Sequence, residues 1–286
     1  MSFEVGENGE IAAALRTVPG LVVPGHWRAT RLSGLSNRVY RVDGPGLGVV
    51  VRLPRAETAG LVDRKAEARN ARIAEDLGIG APILHLDPQT GVMVTQLVPG
   101  VRPLKAGAVS AAQAARAGRT FARLHGSGRR FAGVYRPSAT IGEAIGGLRD
   151  DRILALGRRA AEAAQRLEAT AGPPVPCHCD PVPDNALDDG KLVRLVDWEY
   201  SAMADPAWDL AYFVLETGLD VSAQAALLDA YSSPQLAGRV EVMKPICDMV
   251  SGLWALGQAA AGNPAADFNA YGMARLARAE SALAGE

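Results

Sequence analysis

Near the N-terminus, three short runs rich in β-branched and aromatic residues follow one another at 27–32, 39–42 and 49–53. Two Gly-containing breaks separate them, Ser33-Gly34-Leu35-Ser36-Asn37 and Asp43-Gly44-Pro45-Gly46. Strand-like runs joined by such breaks predict an antiparallel meander. A short helical pattern precedes it at 10–17 and is ended by Pro19-Gly20. A second helix is predicted over 58–77, with Asp63, Glu67 and Arg69 on a polar face and Gly78 as its C-cap. Two more short runs, 83–86 and 92–97, flank the turn Asp87-Pro88-Gln89-Thr90-Gly91. After Val98-Pro99-Gly100 the pattern changes. Alanine-rich helical segments occupy 110–125, 141–171 and 206 onward, interrupted by a Pro-rich, strand-like island at 173–196. The pattern predicts an α+β chain with a β-rich part at 1–97 and a larger helical part at 98–286, hinged near Gly100.

Composition narrows the function classes. Of 286 residues, 48% are hydrophobic and 21% charged, which suits a chain with a sizeable core and excludes a disordered one. The net charge of −1 lacks the basic surplus of a dedicated nucleic-acid binder. No apolar stretch reaches the ~18 residues of a membrane span. The opening MSFEVGENGE is acidic where a signal peptide is basic. Three cysteines, Cys177, Cys179 and Cys247, make no disulfide framework. The expectation is a cytoplasmic protein with neither nucleic acid nor membrane as partner, monomeric or homodimeric. Only four residues are lysines and 26 are arginines, so a cation needed on a strand must be arginine.

Candidate chemistry gathers in the island. It reads Cys177-His178-Cys179-Asp180-Pro181-Val182-Pro183-Asp184-Asn185, then Leu192-Val193-Arg194-Leu195-Val196-Asp197-Trp198-Glu199. Two prolines stiffen a loop carrying an Asp and an Asn five positions apart. Two short runs joined at Asp188-Asp189-Gly190 follow, and the second delivers a carboxylate at its end. Asp180, Asn185 and Asp197 thus fall at the ends of neighbouring short strands, an all-oxygen set suited to Mg²⁺. An Asp beside prolines is, taken singly, a turn residue. Here the joint spacing carries the signal. Cys177-His178-Cys179 is no zinc site, since consecutive residues alternate sides and no second ligand cluster exists apart from Cys247. A P-loop is absent. His178 is read as a brace for the loop. Asp205 is read as a helix N-cap before Pro206, and Asp209 as a structural residue.

The H-x-D-x-x-x-x-N and D-x-E arrangement resembles the catalytic core of kinase-like phosphotransferases, although Asp197-Trp198-Glu199 departs from the D-F-G of protein kinases. With VDWEYS-x-M-x-DP-x-WDLA it is most similar to the choline/ethanolamine kinase and aminoglycoside phosphotransferase branch, and there to bacterial choline kinases. The resemblance implies a protein-kinase-like two-lobe fold and transfer of the γ-phosphate of ATP to an alcohol, with Mg²⁺. It implies Asp180 as catalytic base, and Asn185 and Asp197 as metal ligands. Glu199 would join the metal shell or contact a cationic substrate. Arg52 would reach phosphate oxygens and be held by Glu67. Ser36, with the Gly34 loop, and Asn37 lie in the nucleotide-loop segment. Gln96 to Val98 would form the adenine hinge. Asp209 would brace the catalytic loop.

The implied acceptor is a choline-like amino alcohol, choline or ethanolamine. Quaternary ammonium groups are held by aromatic faces, yet aromatics make up 5% of the chain. Trp254 matches a family pocket residue. Three positions earlier, where a partner Trp is often found, stands Ser251, and the loss is expected to open one wall. Tyr200, Trp208, Tyr212 and Tyr271 are the candidate replacements, with Tyr271 taken into the site. Asp248 is a further candidate counter-charge. The alternatives are an aminoglycoside or other small-molecule kinase sharing the core, and a non-catalytic nucleotide-binding regulator.

Overall fold

The computed structural model describes residues 5–32, 37–55 and 62–284. Helix α1 (Val5–Arg16) begins before the expected segment because Gly6, Asn8 and Gly9 in its first part are poor helix formers and hide it. Its Ile11 and Leu15 are fully buried on the meander. The meander comprises β1 (Arg28–Arg31), β2 (Asn37–Gly44) and β3 (Leu47–Pro54); β4 (Ile83–Leu86) and β5 (Met93–Gln96) complete the sheet. Strand order is β1-β2-β3-β5-β4, with every pairing antiparallel. Tyr40, Val42, Val49, Val51 and Val94 fill one face and form, with α1, a small apolar core. Arg52 lies opposite Met93 and Val39 in the register.

Between β3 and β4, helix α2 (Arg64–Asp76) starts at an N-cap, Asp63, whose carboxylate accepts from Lys65 N and Ala66 N. Its inward face is polar: Arg64, Glu67 and Asn70 are all buried. Glu67 therefore does not point to solvent, because two arginines neutralise it. The end of α2 belongs to the larger core, where Ala71, Ala74, Ile79 and Ile83 pack with residues of the helical region.

That region opens with β6 (Arg102–Pro103) and α3 (Ala111–His125), the latter started by a Ser110/Gln113 capping box. The segment expected at 141–171 divides at Gly146-Gly147 into α4 (Pro137–Ile145) and α5 (Asp151–Ala169). The island supplies β7 (Val175–Cys177), a 3₁₀ turn at Pro183–Asn185, β8 (Ala186–Asp188), β9 (Val193–Leu195) and β10 (Ala202–Ala204). β8 joins β6 and β9 in a three-stranded sheet, and β10 pairs with β7. Four helices follow: α6 (Pro206–Thr217), α7 (Val221–Tyr231), α8 (Leu236–Ala260) and α9 (Phe268–Leu283). The result is a protein-kinase-like α+β fold. Among the described residues, no helix is long and apolar enough to cross a membrane.

Close helix approaches depend on glycine. A Cβ at Gly118 of α3 would lie 2.3 Å from the Leu227 carbonyl oxygen of α7. Gly118→Ala is expected to cost about 1–2 kcal/mol, since forced separation of the helices outweighs the helix-propensity gain. Urea unfolding measures it, and an unchanged or raised midpoint contradicts the contact.

Candidate active site

Two backbone irregularities aim the island's carboxylates. Cys179 sits at φ 66° and Asp197 at φ 65°, both in the left-handed region that residues other than glycine seldom adopt. At Cys179 the cause is Asp209 on α6. Its fully buried carboxylate accepts from His178 N at 2.7 Å and Cys179 N at 2.8 Å, and lies 3.0 Å from His125 Nε2. Trp208 Nε1 donates to Cys179 O at 3.0 Å. His178 braces the same loop. Asp180 N donates to its Nδ1 at 3.3 Å, which leaves Nε2 as the donor to Val196 O at 2.9 Å. Burial lowers the His178 pKa, so the ring is neutral and serves as a strut.

Asn185 ties the loop to itself and to β9. Its Nδ2 donates to Asp180 O at 3.0 Å and Asp180 Oδ2 at 3.3 Å, while its backbone carbonyl accepts from Val196 N at 3.0 Å. Asp197 follows directly. Asp180, Asn185 and Asp197 are thereby gathered at one end of the β8–β9 hairpin. Burial raises the Asp180 pKa well above the ordinary carboxylate value, with Asp197 and Glu199 adding repulsion. The Asp197 pKa is raised by desolvation and then by Glu199, against the pull of Arg52.

From the sheet side, Arg52 reaches across. Its guanidinium pairs with Glu67, lies 3.1 Å from Asp197 Oδ1, and donates to Gly91 O at 3.0 Å. Burial pulls its pKa down, but Glu67, Asp197 and Glu199 more than offset this, and the pKa is raised. A second buried cation, Arg64, was not evident from the sequence. It lies 2.9 Å from Glu67 and 3.1 Å from Glu199. Its only sequence signal is the i, i+3 spacing to Glu67. Glu199 faces this arginine and accepts from Asn37 Nδ2 at 2.9 Å. Glu67, Asp197 and Glu199 offer oxygens within 4.8 Å of one another.

The other positions are more dispersed. Ser36 lies outside the described residues. Gln96 is exposed at the end of β5, its N–H bonded to Pro82 O at 2.8 Å, and Val98 is half-buried two residues on. Trp254 and Tyr271 are 41% and 40% exposed, on α8 and α9 respectively. Trp254 meets Phe268 edge-on at 5.4 Å. Asp248, the further candidate counter-charge, is buried against Arg275 and Arg278, which already balance it.

A β-sheet lobe whose arginine, fixed by a helix glutamate, reaches an Asp/Asn/Asp loop cluster on a helical lobe defines a kinase-like phosphotransferase. Comparison with known proteins agrees. The family model for the phosphotransferase enzyme family matches residues 28–246. A choline/ethanolamine kinase family protein from Mesorhizobium loti superposes with a TM-score of 0.83 at 34% identity, over 96% of this chain and 94% of that one. Protein LicA of Haemophilus influenzae is 26% identical over 70% of this chain, and the match spans 61% of the relative's length. The structure of LicA in complex with AMP shares the fold at a TM-score of 0.77 and 22% identity, over 96% of this chain and 98% of that one. The chain belongs to the phosphotransferase enzyme family and is choline/ethanolamine kinase-like within it.

Proposed function

We propose that the chain is an ATP- and Mg²⁺-dependent kinase that transfers the γ-phosphate to the hydroxyl of a small amino alcohol of the choline/ethanolamine type. The observation that carries this is the convergence of Asp180, Asn185 and Asp197 opposite Arg52. Its relatives support it: one is of the choline/ethanolamine kinase family and another was determined with AMP.

The donor set fits magnesium. Asp180, Asn185, Asp197 and Glu199 are all oxygen donors, and burial first, then repulsion from neighbouring carboxylates, raises the pKa of Asp180 and Asp197. Such an acidic surplus favours a hard divalent cation. Asn185 and Asp197 would hold it, with Glu199 the nearest further carboxylate; the ion would supply charge neutralisation at the phosphate oxygens. Asp180, locked by Asn185, orients the acceptor hydroxyl and takes its proton as the new oxygen–phosphorus bond forms and the bond from the γ-phosphorus to the bridging oxygen breaks, ADP leaving with that oxygen. Arg52 offers a permanently charged donor fork to phosphate, held in place by Glu67. Asn37 and Arg64 fix Glu199. The nucleotide base is assigned to the segment Gln96 to Val98 through its backbone, and the segment around Ser36 to the phosphates. The two lobes correspond to 1–97 and 98–286, and the cytoplasm is the proposed location.

Coupled ADP release across choline, ethanolamine, thiamine and aminoglycosides, with and without Mg²⁺, tests the reading. Turnover with an amino alcohol only when Mg²⁺ is present is expected. Faster turnover with aminoglycosides than with every amino alcohol would replace it. Asp197→Asn keeps a residue that tolerates the left-handed backbone while removing the charge. It is expected to weaken MgADP binding about 10–100-fold by calorimetry; parental affinity would remove Asp197 from the metal set.

A further inference from the structure

Helices α8 and α9 approach each other closely at two glycines. A Cβ at Gly252 would lie 2.8 Å from Leu276, and one at Gly272 would lie 3.0 Å from the Gly252 carbonyl. The approach brings Arg275 of α9 against Ser251 of α8. Arg275 is 4% exposed. Its Nη2 donates to Ser251 Oγ at 3.1 Å, and it is paired with Glu216 and, at 3.2 Å, with Asp248. Ser251 Oγ in turn donates to Tyr212 Oη at 3.4 Å, and the Tyr212 hydroxyl lies near enough to Asp180 to act on its carboxyl. A line of polar groups thus leads from the neighbourhood of Asp180 to a buried guanidinium. That guanidinium also covers the ring of Tyr271, 5.2 Å from the centroid. The wall expected to stand open at Ser251 is therefore closed, and by a cation.

We propose that Arg275 determines acceptor specificity: by covering the Tyr271 ring with an internal cation it selects a primary ammonium over a quaternary one. This rests on the proposed amino-alcohol kinase activity. A trimethylammonium group has no N–H donor and is held by open aromatic faces. Here one face of Tyr271 is already covered by the guanidinium, 5.2 Å from the ring centroid, so that face is closed to a group that depends on aromatic contact. A primary ammonium carries three donors, and the wall offers the phenol oxygens of Tyr212 and Tyr271. Arg275 itself is not an anion receptor. It is buried, and Glu216 and Asp248 neutralise it. Asp248 is shared with Arg278, which lies 2.5 Å away.

The test compares ethanolamine with choline by kcat/KM and, separately, by calorimetric Kd. The parent is expected to favour ethanolamine about tenfold or more, the scale of one lost cation–π contact. The double variant Arg275→Met, Glu216→Gln removes the cation with its partner, leaving Asp248 to Arg278. The preference is expected to fall below about threefold, mainly through a lower choline KM at little-changed kcat. Arg278→Met, which leaves the ring covered, is expected to keep the parental ratio. If the double variant does not fold, the pair Arg275→Gln, Glu216→Gln, which removes the cation and lets the two amides hydrogen-bond each other, is read the same way. A parent that prefers choline, or a ratio unmoved by uncovering Tyr271, overturns the assignment. If neither amine is phosphorylated, the proposed activity fails. The Kd ratio still decides Arg275, and binding of neither amine overturns it too.

Discussion

Asp180→Asn is expected to lower kcat about 10³-fold, the scale of a lost general base, while MgADP binding survives. The exchange is nearly isosteric. Asn185 Nδ2 donates to Asp180 O at 3.0 Å and to Oδ2 at 3.3 Å, and an amide oxygen can accept the second bond as the carboxylate does. The backbone N–H contacts to His178 are untouched, so the loop keeps its shape. What is lost is the group able to take the acceptor's proton. Asp180 stands where Asp197 and Glu199 both press on it electrostatically. Removing its charge relieves that repulsion and should not harm nucleotide binding. Single-turnover phosphate transfer separates the effects, because a purely structural lesion lowers affinity and rate together. Equal turnover in the variant and the parent ends the base assignment.

How much of this was legible depends on the range over which each residue acts. The meander was readable from 27 to 53 because Gly-containing turns and β-rich runs are local signals. The Asp180, Asn185 and Asp197 cluster was readable because one hairpin joins its members within 18 positions. The Asp205 cap and the brace at Asp209 also followed from short-range pattern and resemblance. Arg64 was missed because nothing local tells an inward-facing arginine at the start of a helix from a solvated one; its partner Glu199 lies 135 positions away. Glu67 is buried for the same reason: its neutralisation comes from a strand and from its own helix together. The wall made by Tyr212, Ser251 and Arg275 needs three helices to meet. From sequence, Ser251 read as a gap, and only the α8–α9 crossing shows that an arginine four residues beyond Tyr271 fills it. The split of 141–171 into two helices was written in Gly146-Gly147, but the surrounding alanine-rich pattern masked it.

Asp209→Ala is expected to destabilise the protein by about 3–5 kcal/mol and to abolish turnover, although Asp209 touches no reacting atom. Its carboxylate serves three donors at once: His178 N, Cys179 N and the His125 ring. All three are buried, and each donor left without a partner costs about 1–3 kcal/mol. The loss is concentrated where the backbone is least favourable, since Cys179 holds φ 66° and strain of that kind persists only while its surroundings enforce it. Once released, Cys179 relaxes, and Asp180, the next residue, leaves its place opposite Asp197. Asp209→Asn keeps one acceptor oxygen and presents an NH₂ to a backbone N–H, so it should fall between parent and alanine in stability while losing most activity. Urea unfolding followed by circular dichroism, paired with ADP release, reads both effects. An alanine variant within about 0.5 kcal/mol of the parent, the range of an inconsequential surface change, would show that the catalytic loop holds its shape without this carboxylate.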